Sequence, residues 1–152
     1  GQYFTPRPLI QSMVRVMKPD PRTKADFTIA DPSCGTGGFL IAAYEWLMKE
    51  TKGALDRDSI KRIKNKTYYG QELVPRPARL AMMNLFLHGV TSEIKIGDTI
   101  YEPFDGKKFD CILTNPPFGT KGANQAPERE DFTISTSNKQ LNFVQHIRSL
   151  MK

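Results

Sequence analysis

The chain has 152 residues, enough for one domain with its own core and too few for two comfortable ones. A hydrophobic share of 39% and a charged share of 25% exclude disorder throughout, and no apolar run approaches the ~18 residues that a membrane-spanning helix needs. The start has no signal-peptide pattern, so a soluble cytoplasmic protein is expected. Cys34 and Cys111 form neither a CxxC pair nor a disulfide framework, and His88 and His146 have no ligand spacing with them, so neither a metal nor a disulfide is expected. A net charge of +6 suits a polyanionic partner without requiring one.

In chain order, Gly1-Gln2-Tyr3-Phe4-Thr5-Pro6 leads into a helix predicted over residues 6–17, with Thr5 as N-cap and Pro6 at the first helical position. Leu9, Ile10, Met13, Val14 and Met17 share a face of that helix, and Lys18-Pro19-Asp20-Pro21 ends it. The apolar run Phe27-Thr28-Ile29-Ala30 reads as a strand. Next comes Asp31-Pro32-Ser33-Cys34-Gly35-Thr36-Gly37-Gly38, and then an amphipathic run from Phe39 to Met48 that fades near Gly53. Strand, glycine turn and helix in this order bring bare backbone near a ligand, because glycine permits positive φ and carries no Cβ. A nucleotide-like cofactor is the natural occupant. A phosphate-cradling loop is excluded, since Phe39 and Leu40 follow Gly38 where that motif requires Lys and Ser or Thr.

Lys52, Arg57, Lys61, Arg62, Lys64 and Lys66 read as a solvated surface segment. Residues 67–73 read as a second strand with the acid Glu72 at its end. Val74-Pro75-Arg76-Pro77 opens a helix whose core residues are expected to be Leu80, Ala81, Met83, Asn84, Phe86 and Leu87, with Gly89 as its stop. Residues 93–96 form a third strand, followed by Gly97-Asp98-Thr99. Residues 109–114 form a fourth strand, apolar enough to be buried on both faces, which runs into Asn115-Pro116-Pro117-Phe118. Residues 119–137 are expected to be a mobile loop. A last helix over 138–152 places Leu141, Val144, Ile147 and Met151 near one face.

Alternating strands and helices predict a parallel α/β sheet that binds ligands at the carboxyl ends of its strands. Asp31, Glu72, Asp98 and Asn115 each follow a predicted strand and should gather along that edge. The carboxylates there favour a ligand rich in hydroxyl and amino groups over a phosphate. S-adenosyl-L-methionine fits, with its ribose diol, adenine amino group, sulfonium and ammonium.

With these motifs in order, the chain resembles the amino-group DNA methyltransferases that act on adenine N6, most closely the modification subunit of type I restriction systems. Gly1-Gln2-Tyr3-Phe4-Thr5-Pro6 resembles the family's opening cofactor motif. Asp31 through Leu40 resembles its glycine-rich motif, and Asn115-Pro116-Pro117-Phe118 its catalytic tetrapeptide. The resemblance implies a Rossmann-like methyltransferase fold and cofactor contacts from Tyr3, Phe4, Thr5, Asp31, Ser33, Cys34, Gly35, Thr36, Gly37, Gly38, Phe39, Glu72, Leu73, Asp98, Thr99 and Asn115. Within that set, Glu72 would hold the ribose and Asp98 the cofactor's adenine.

Catalysis would fall to Asn115, Pro116, Pro117 and Phe118. The Asn115 side-chain oxygen and the Pro116 carbonyl would accept the target amino protons, and Phe118 would stack on a base swung out of the duplex. Implied partners are double-stranded DNA and the specificity (S) and restriction (R) subunits. A carbon-5 cytosine mechanism is excluded, because neither cysteine follows a proline as its nucleophile usually does.

Two other functions share parts of this pattern. Glutamine-methylating protein methyltransferases carry a similar Asn-Pro-Pro element, usually with Tyr where this chain has Phe118. A non-catalytic cofactor-binding scaffold would not need Asn115 and Phe118. The family's domain has more strands than the four counted here, so residues 1–152 are expected to be a truncated catalytic domain: the cofactor-binding half with the catalytic tetrapeptide. Such a chain should expose Phe109, Cys111, Ile112 and Leu113 on an open edge, and should neither methylate DNA alone nor prefer a sequence.

Overall fold

The computed structural model describes residues 4–118 and 126–152. Tyr3 and the first part of the loop after Phe118 lie outside them. Helix α1 (Arg7–Met17) leads to strand β1 (Ile29–Asp31), and then come helices α2 (Gly38–Thr51) and α3 (Arg57–Lys66). Strand β2 (Tyr68–Glu72), helix α4 (Pro75–Leu87), strands β3 (Glu93–Ile96) and β4 (Cys111–Ile112) and helix α5 (Lys139–Leu150) complete the order. The sheet is parallel with order β3-β2-β1-β4, and Ile29 pairs with Tyr68 on one side and Cys111 on the other.

This order reverses at β1, because the chain steps outward to β2 and β3 and then returns to place β4 on β1's other flank. The carboxyl ends of β1 and β4 therefore mark a topological switch point, where open α/β sheets bind ligands. Successive strand residues face opposite sides, so the sheet separates two cores. Ile29 packs with Val14, Leu40, Leu47, Ile63, Ala81 and Leu85 on the side of the first four helices. Ala30 packs on the other side with Phe104, Phe109 and Leu150, where the Tyr69, Phe104 and Phe109 rings meet at centroid distances of 5.4–6.4 Å.

Several sequence-based expectations are corrected. Thr5 does not cap α1: Pro6 holds that position with extended backbone, Pro8 lies in the first turn, and the Thr5 hydroxyl is engaged elsewhere. Leu9 and Met17 are exposed, leaving Ile10 and Val14 as that helix's buried residues. The basic segment is solvated but helical. Its Asp56 caps α3 by accepting the Ser59 N–H at 2.8 Å, and Ile63 anchors the helix in the core.

Helix α4 buries its small side, Ala78, Ala81 and Leu85, and exposes Met83, Phe86 and Leu87. The cause is close packing: a Cβ placed on Gly37 would stand 3.4 Å from that of Ala81, so bulk cannot face the glycine turn. Helix α5 buries Asn142, Phe143, His146 and Leu150, while Val144 and Met151 are exposed. Residues 126–137 lack regular structure but are tied down, since Gln145 accepts the Ile134 N–H at 2.9 Å and donates to its carbonyl at 3.0 Å.

Strand β4 is an edge, yet Phe109, Cys111 and Leu113 are buried. The end of α5 covers it: the Phe109 N–H donates to the Leu150 carbonyl at 2.7 Å, and Met151 pairs alongside Phe109. Asp110 fastens the same corner, and Lys152 donates to it at 2.8 Å. Burial opposes its charge, but Lys152, Lys24 and the Thr28 N–H outweigh burial and hold its pKa at about 2. Among the described residues no helix is long and apolar enough to cross a membrane.

Candidate active site

The carboxyl ends of the strands open into a cavity of about 1050 Å³. The glycine turn places Asp31, Pro32, Ser33, Cys34, Gly35, Thr36, Gly38 and Phe39 on its wall. Glu72 and Leu73 enter from β2, Asp98 and Thr99 from the turn after β3, and Asn115, Pro116, Pro117 and Phe118 from the end of β4. Phe4 and Thr5 reach the same cavity from the start of the chain. Gly37 is absent from the lining. At φ 87° it is the left-handed N-cap of α2 and faces α4, a packing role.

Backbone hydrogen bonds fix the first wall. The Glu72 carboxylate accepts the Gly35 N–H at 2.9 Å and the Val74 N–H at 3.0 Å, so one acid holds the glycine turn and the exit from β2 together. Gly35 has φ 53°, and a Cβ added there would meet nothing within 4 Å. Beneath it, Gly70 leaves room for Cys34, because a Cβ on Gly70 would stand 3.0 Å from the Cys34 sulfur. Burial and the nearby Asp31 and Glu72 carboxylates push the Cys34 thiol well above its ordinary range, so it packs and does not attack. Cys111 is likewise pushed up to about 11 by burial, then by Asp110. Both cysteines are free.

A polar chain joins this wall to the end of β4. Thr114 lies 2.6 Å from an Asp31 oxygen, the Ser33 and Thr114 hydroxyls are 2.7 Å apart, and the Ser33 hydroxyl is 3.2 Å from the Asn115 carbonyl. These three contacts share two hydroxyl protons. When Asp31 is ionised, Thr114 donates to it and Ser33 divides its proton between two acceptors. A proton on Asp31 lets each contact have its own donor. Burial, opposed by the hydrogen bonds from Thr114 and Ser33 and reinforced by the Glu72 charge, raises the Asp31 pKa to about 7.

Asn115 is oriented from the far end of the sequence: its Nδ2 donates to the Thr5 hydroxyl oxygen at 3.0 Å. That bond leaves the amide oxygen as the acceptor turned to other partners. Phe118 is 73% exposed, so its ring face is open to a planar ligand. After β3, Asp98 accepts the Ile100 N–H at 3.0 Å, making the side-chain turn expected of an Asp at a strand end.

The cavity lining holds residues that sequence reasoning did not assign to the site. Arg76, Pro77 and Leu80 come from the start of α4, Ile100 and Tyr101 from the turn after β3, and Asn142 and Phe143 from α5. The Val74-Pro75-Arg76-Pro77 run, one residue past Glu72, was a usable signal for the first group. No local pattern marks the others. Among the described residues, no cluster of three or more His, Cys, Asp or Glu side chains is placed to hold a metal ion.

The model of the N-6 DNA methylase family matches residues 1–152. The chain belongs to the N-6 DNA methylase family. It is 40% identical to the type I restriction enzyme StySPI methylase subunit of Salmonella potsdam, over 97% of this chain and 28% of that protein. The crystal structure of the type I restriction enzyme EcoKI M protein superposes with a TM-score of 0.85 at 38% identity, over 99% of this chain and 32% of the other. A modification subunit of a type I restriction enzyme from Vibrio vulnificus gives a TM-score of 0.79 at 31% identity, over 99% of this chain and 31% of that one. The chain thus spans about a third or less of these relatives, and its Rossmann-like sheet with flanking helices is the methyltransferase fold they share. The cavity described above lies within the part held in common.

Proposed function

We propose that this chain is the cofactor-binding and catalytic part of a type I modification subunit, one that methylates adenine N6 in double-stranded DNA together with specificity and restriction subunits. The observation that carries the proposal is the convergence on one cavity of Asp31, Glu72 and Asp98 with Asn115 and Phe118. The residues suit S-adenosyl-L-methionine. Buried carboxylates favour its cationic sulfur and ammonium over a phosphate. At Gly35 a Cβ would project into the open space that a cofactor backbone needs, and Glu72 retains the carboxylate geometry to accept from a ribose diol.

When bound, the cofactor would supply a methyl group from positively charged sulfur to N6 and depart as a neutral thioether, with the surplus N6 proton passing to solvent. The protein makes the amine nucleophilic. The adenine amino lone pair is drawn into the ring, so Asn115 Oδ1 and the Pro116 carbonyl accept hydrogen bonds from its two N–H groups and localise the pair on nitrogen. Thr5 turns the Asn115 amide so that its oxygen is presented, and the Pro116-Pro117 backbone, with φ fixed by its rings, keeps the second acceptor in place. Phe118 holds the extruded base by stacking.

Transfer of labelled methyl groups by the full-length protein with its specificity subunit tests the reading. Label is expected on adenine N6 of duplex DNA. Label on glutamine in protein, or none on either substrate, would overturn it.

A further inference from the structure

His146 is fully buried on α5. Its Nδ1 lies 2.9 Å from an Arg129 Nη1, which can only donate, so Nδ1 accepts. The ring proton is therefore on Nε2, which donates to the Thr99 hydroxyl at 2.6 Å. Burial and then the Arg129 charge lower the imidazole's pKa to about 4, in keeping with this neutral tautomer. The same Arg129 Nη1 donates to the Ile100 carbonyl at 3.1 Å. Asp131 pairs with the other side of the guanidinium, whose central carbon lies 4.1 Å from the Phe132 ring centre.

Two consecutive residues of the turn after β3, Thr99 and Ile100, are thus gripped by side chains from the segment after the catalytic tetrapeptide and from α5. Both line the cavity, and Asn142 and Phe143 of α5 line it as well. We propose that Arg129 and His146 are positioning residues that lock the turn at Thr99 and Ile100 against α5 and so shape the end of the cavity that takes the cofactor's nucleoside. The inference rests on the cofactor assignment made above. It differs from a plain packing role in what it predicts: loss of the clasp loosens one end of the cofactor site and leaves the Asn115 end working.

In the full-length protein, Arg129→Met should weaken S-adenosylmethionine binding about tenfold, the scale of one lost hydrogen-bonded contact, with kcat at saturating cofactor nearly unchanged. Hydrogen exchange of residues 98–102 and 126–137 should speed up in the same variant while α2 keeps its protection. His146→Gln, whose amide can accept from Arg129 and donate to Thr99, should recover most of the affinity that His146→Leu loses. Unchanged exchange and affinity in Arg129→Met, or equal losses in His146→Gln and His146→Leu, would overturn the inference. The exchange measurement judges the clasp whether or not cofactor binds. Failure of the methyltransferase reading is seen separately, as no cofactor binding by the unsubstituted protein, and removes the inference's cofactor end with it.

Discussion

Along β1 and β2 the cavity wall is made by main chain: a glycine turn, a strand-end acid and N–H groups from Gly35 and Val74 that both close on Glu72. Across the cavity, beyond β3 and β4, side chains from distant segments do the placing, with Thr5 on Asn115 and His146 on Thr99. The acids of the first wall are buried, Asp31 at 1% and Glu72 at 3% exposure, whereas Asn115 and Phe118 stand exposed at the mouth. A site divided in this way separates its tasks. The backbone wall suits a cofactor of fixed shape, the clasped turn at Thr99 and Ile100 bounds the same cofactor end, and the open mouth at Asn115 and Phe118 suits a target that must enter, be gripped and leave.

The sharpest way to break that division is to remove an acceptor at the mouth. Asn115→Ala in the full-length protein should lower single-turnover methyl transfer by roughly 10²–10³-fold, by analogy with loss of one preorganised transition-state partner, and leave cofactor affinity largely intact. A wild-type rate in this variant would sink the mechanism. At the opposite wall, Glu72→Ala should weaken S-adenosylmethionine binding by about 1.5–3 kcal/mol, the range for hydrogen bonds to a charged group. Calorimetry showing equal affinity would take Glu72 out of the site.

The third expected effect depends on Asp31, whose folded pKa of about 7 exceeds its ordinary value of 3.8. Between those values the folded chain keeps a proton that the unfolded chain has lost. This group therefore favours folding most below pH ~4, and its contribution is lost as pH rises toward ~7. A cationic ligand beside Asp31 prefers the ionised form, so binding should release a proton. Affinity should then rise up to about tenfold per pH unit below pH ~7 and level off above it. Calorimetry in buffers of different ionisation enthalpy measures the released proton, and Asp31→Asn should abolish both the release and the slope.

The contrast between the walls also explains what could be read from the sequence. The alternation of strands and helices along the chain, the glycine turn and the strand-end positions of Asp31, Glu72, Asp98 and Asn115 depend on local periodicity and turn chemistry, which neighbouring residues record; the spatial order of the strands does not. The buried faces of α4 and α5 do not. Bulk on both sides of α4 made Met83 and Leu87 look like core, and only the approach of Ala81 to Gly37 decides otherwise. On α5 a fully buried histidine replaces the apolar residue that periodicity favours, because its partners Thr99 and Arg129 lie 47 and 17 residues away. Helix α3 was hidden by its charge, although Asp56 and Ser59 mark its start.

Thr5 gives the smallest effect and the finest test of how the walls are joined. Its sequence setting, directly before proline, suggests a helix cap, but the structure uses its hydroxyl to hold the Asn115 amide at 3.0 Å. Thr5→Val keeps the side-chain shape and removes the acceptor, so the amide loses a neutral hydrogen bond of about 0.5–1.5 kcal/mol and can rotate. Free rotation would present Nδ2 to the target amine part of the time, and a donor facing a donor does no work. Transfer should fall by about two- to tenfold, far less than in Asn115→Ala, because the correct rotamer is still populated. Thr5→Ser, which keeps the hydroxyl, should restore most of the rate. Thr5 also lines the cavity, so cofactor affinity must be measured in parallel. A variant that loses affinity but keeps its rate at saturating cofactor would place Thr5 with the first wall and leave Asn115 oriented by other groups.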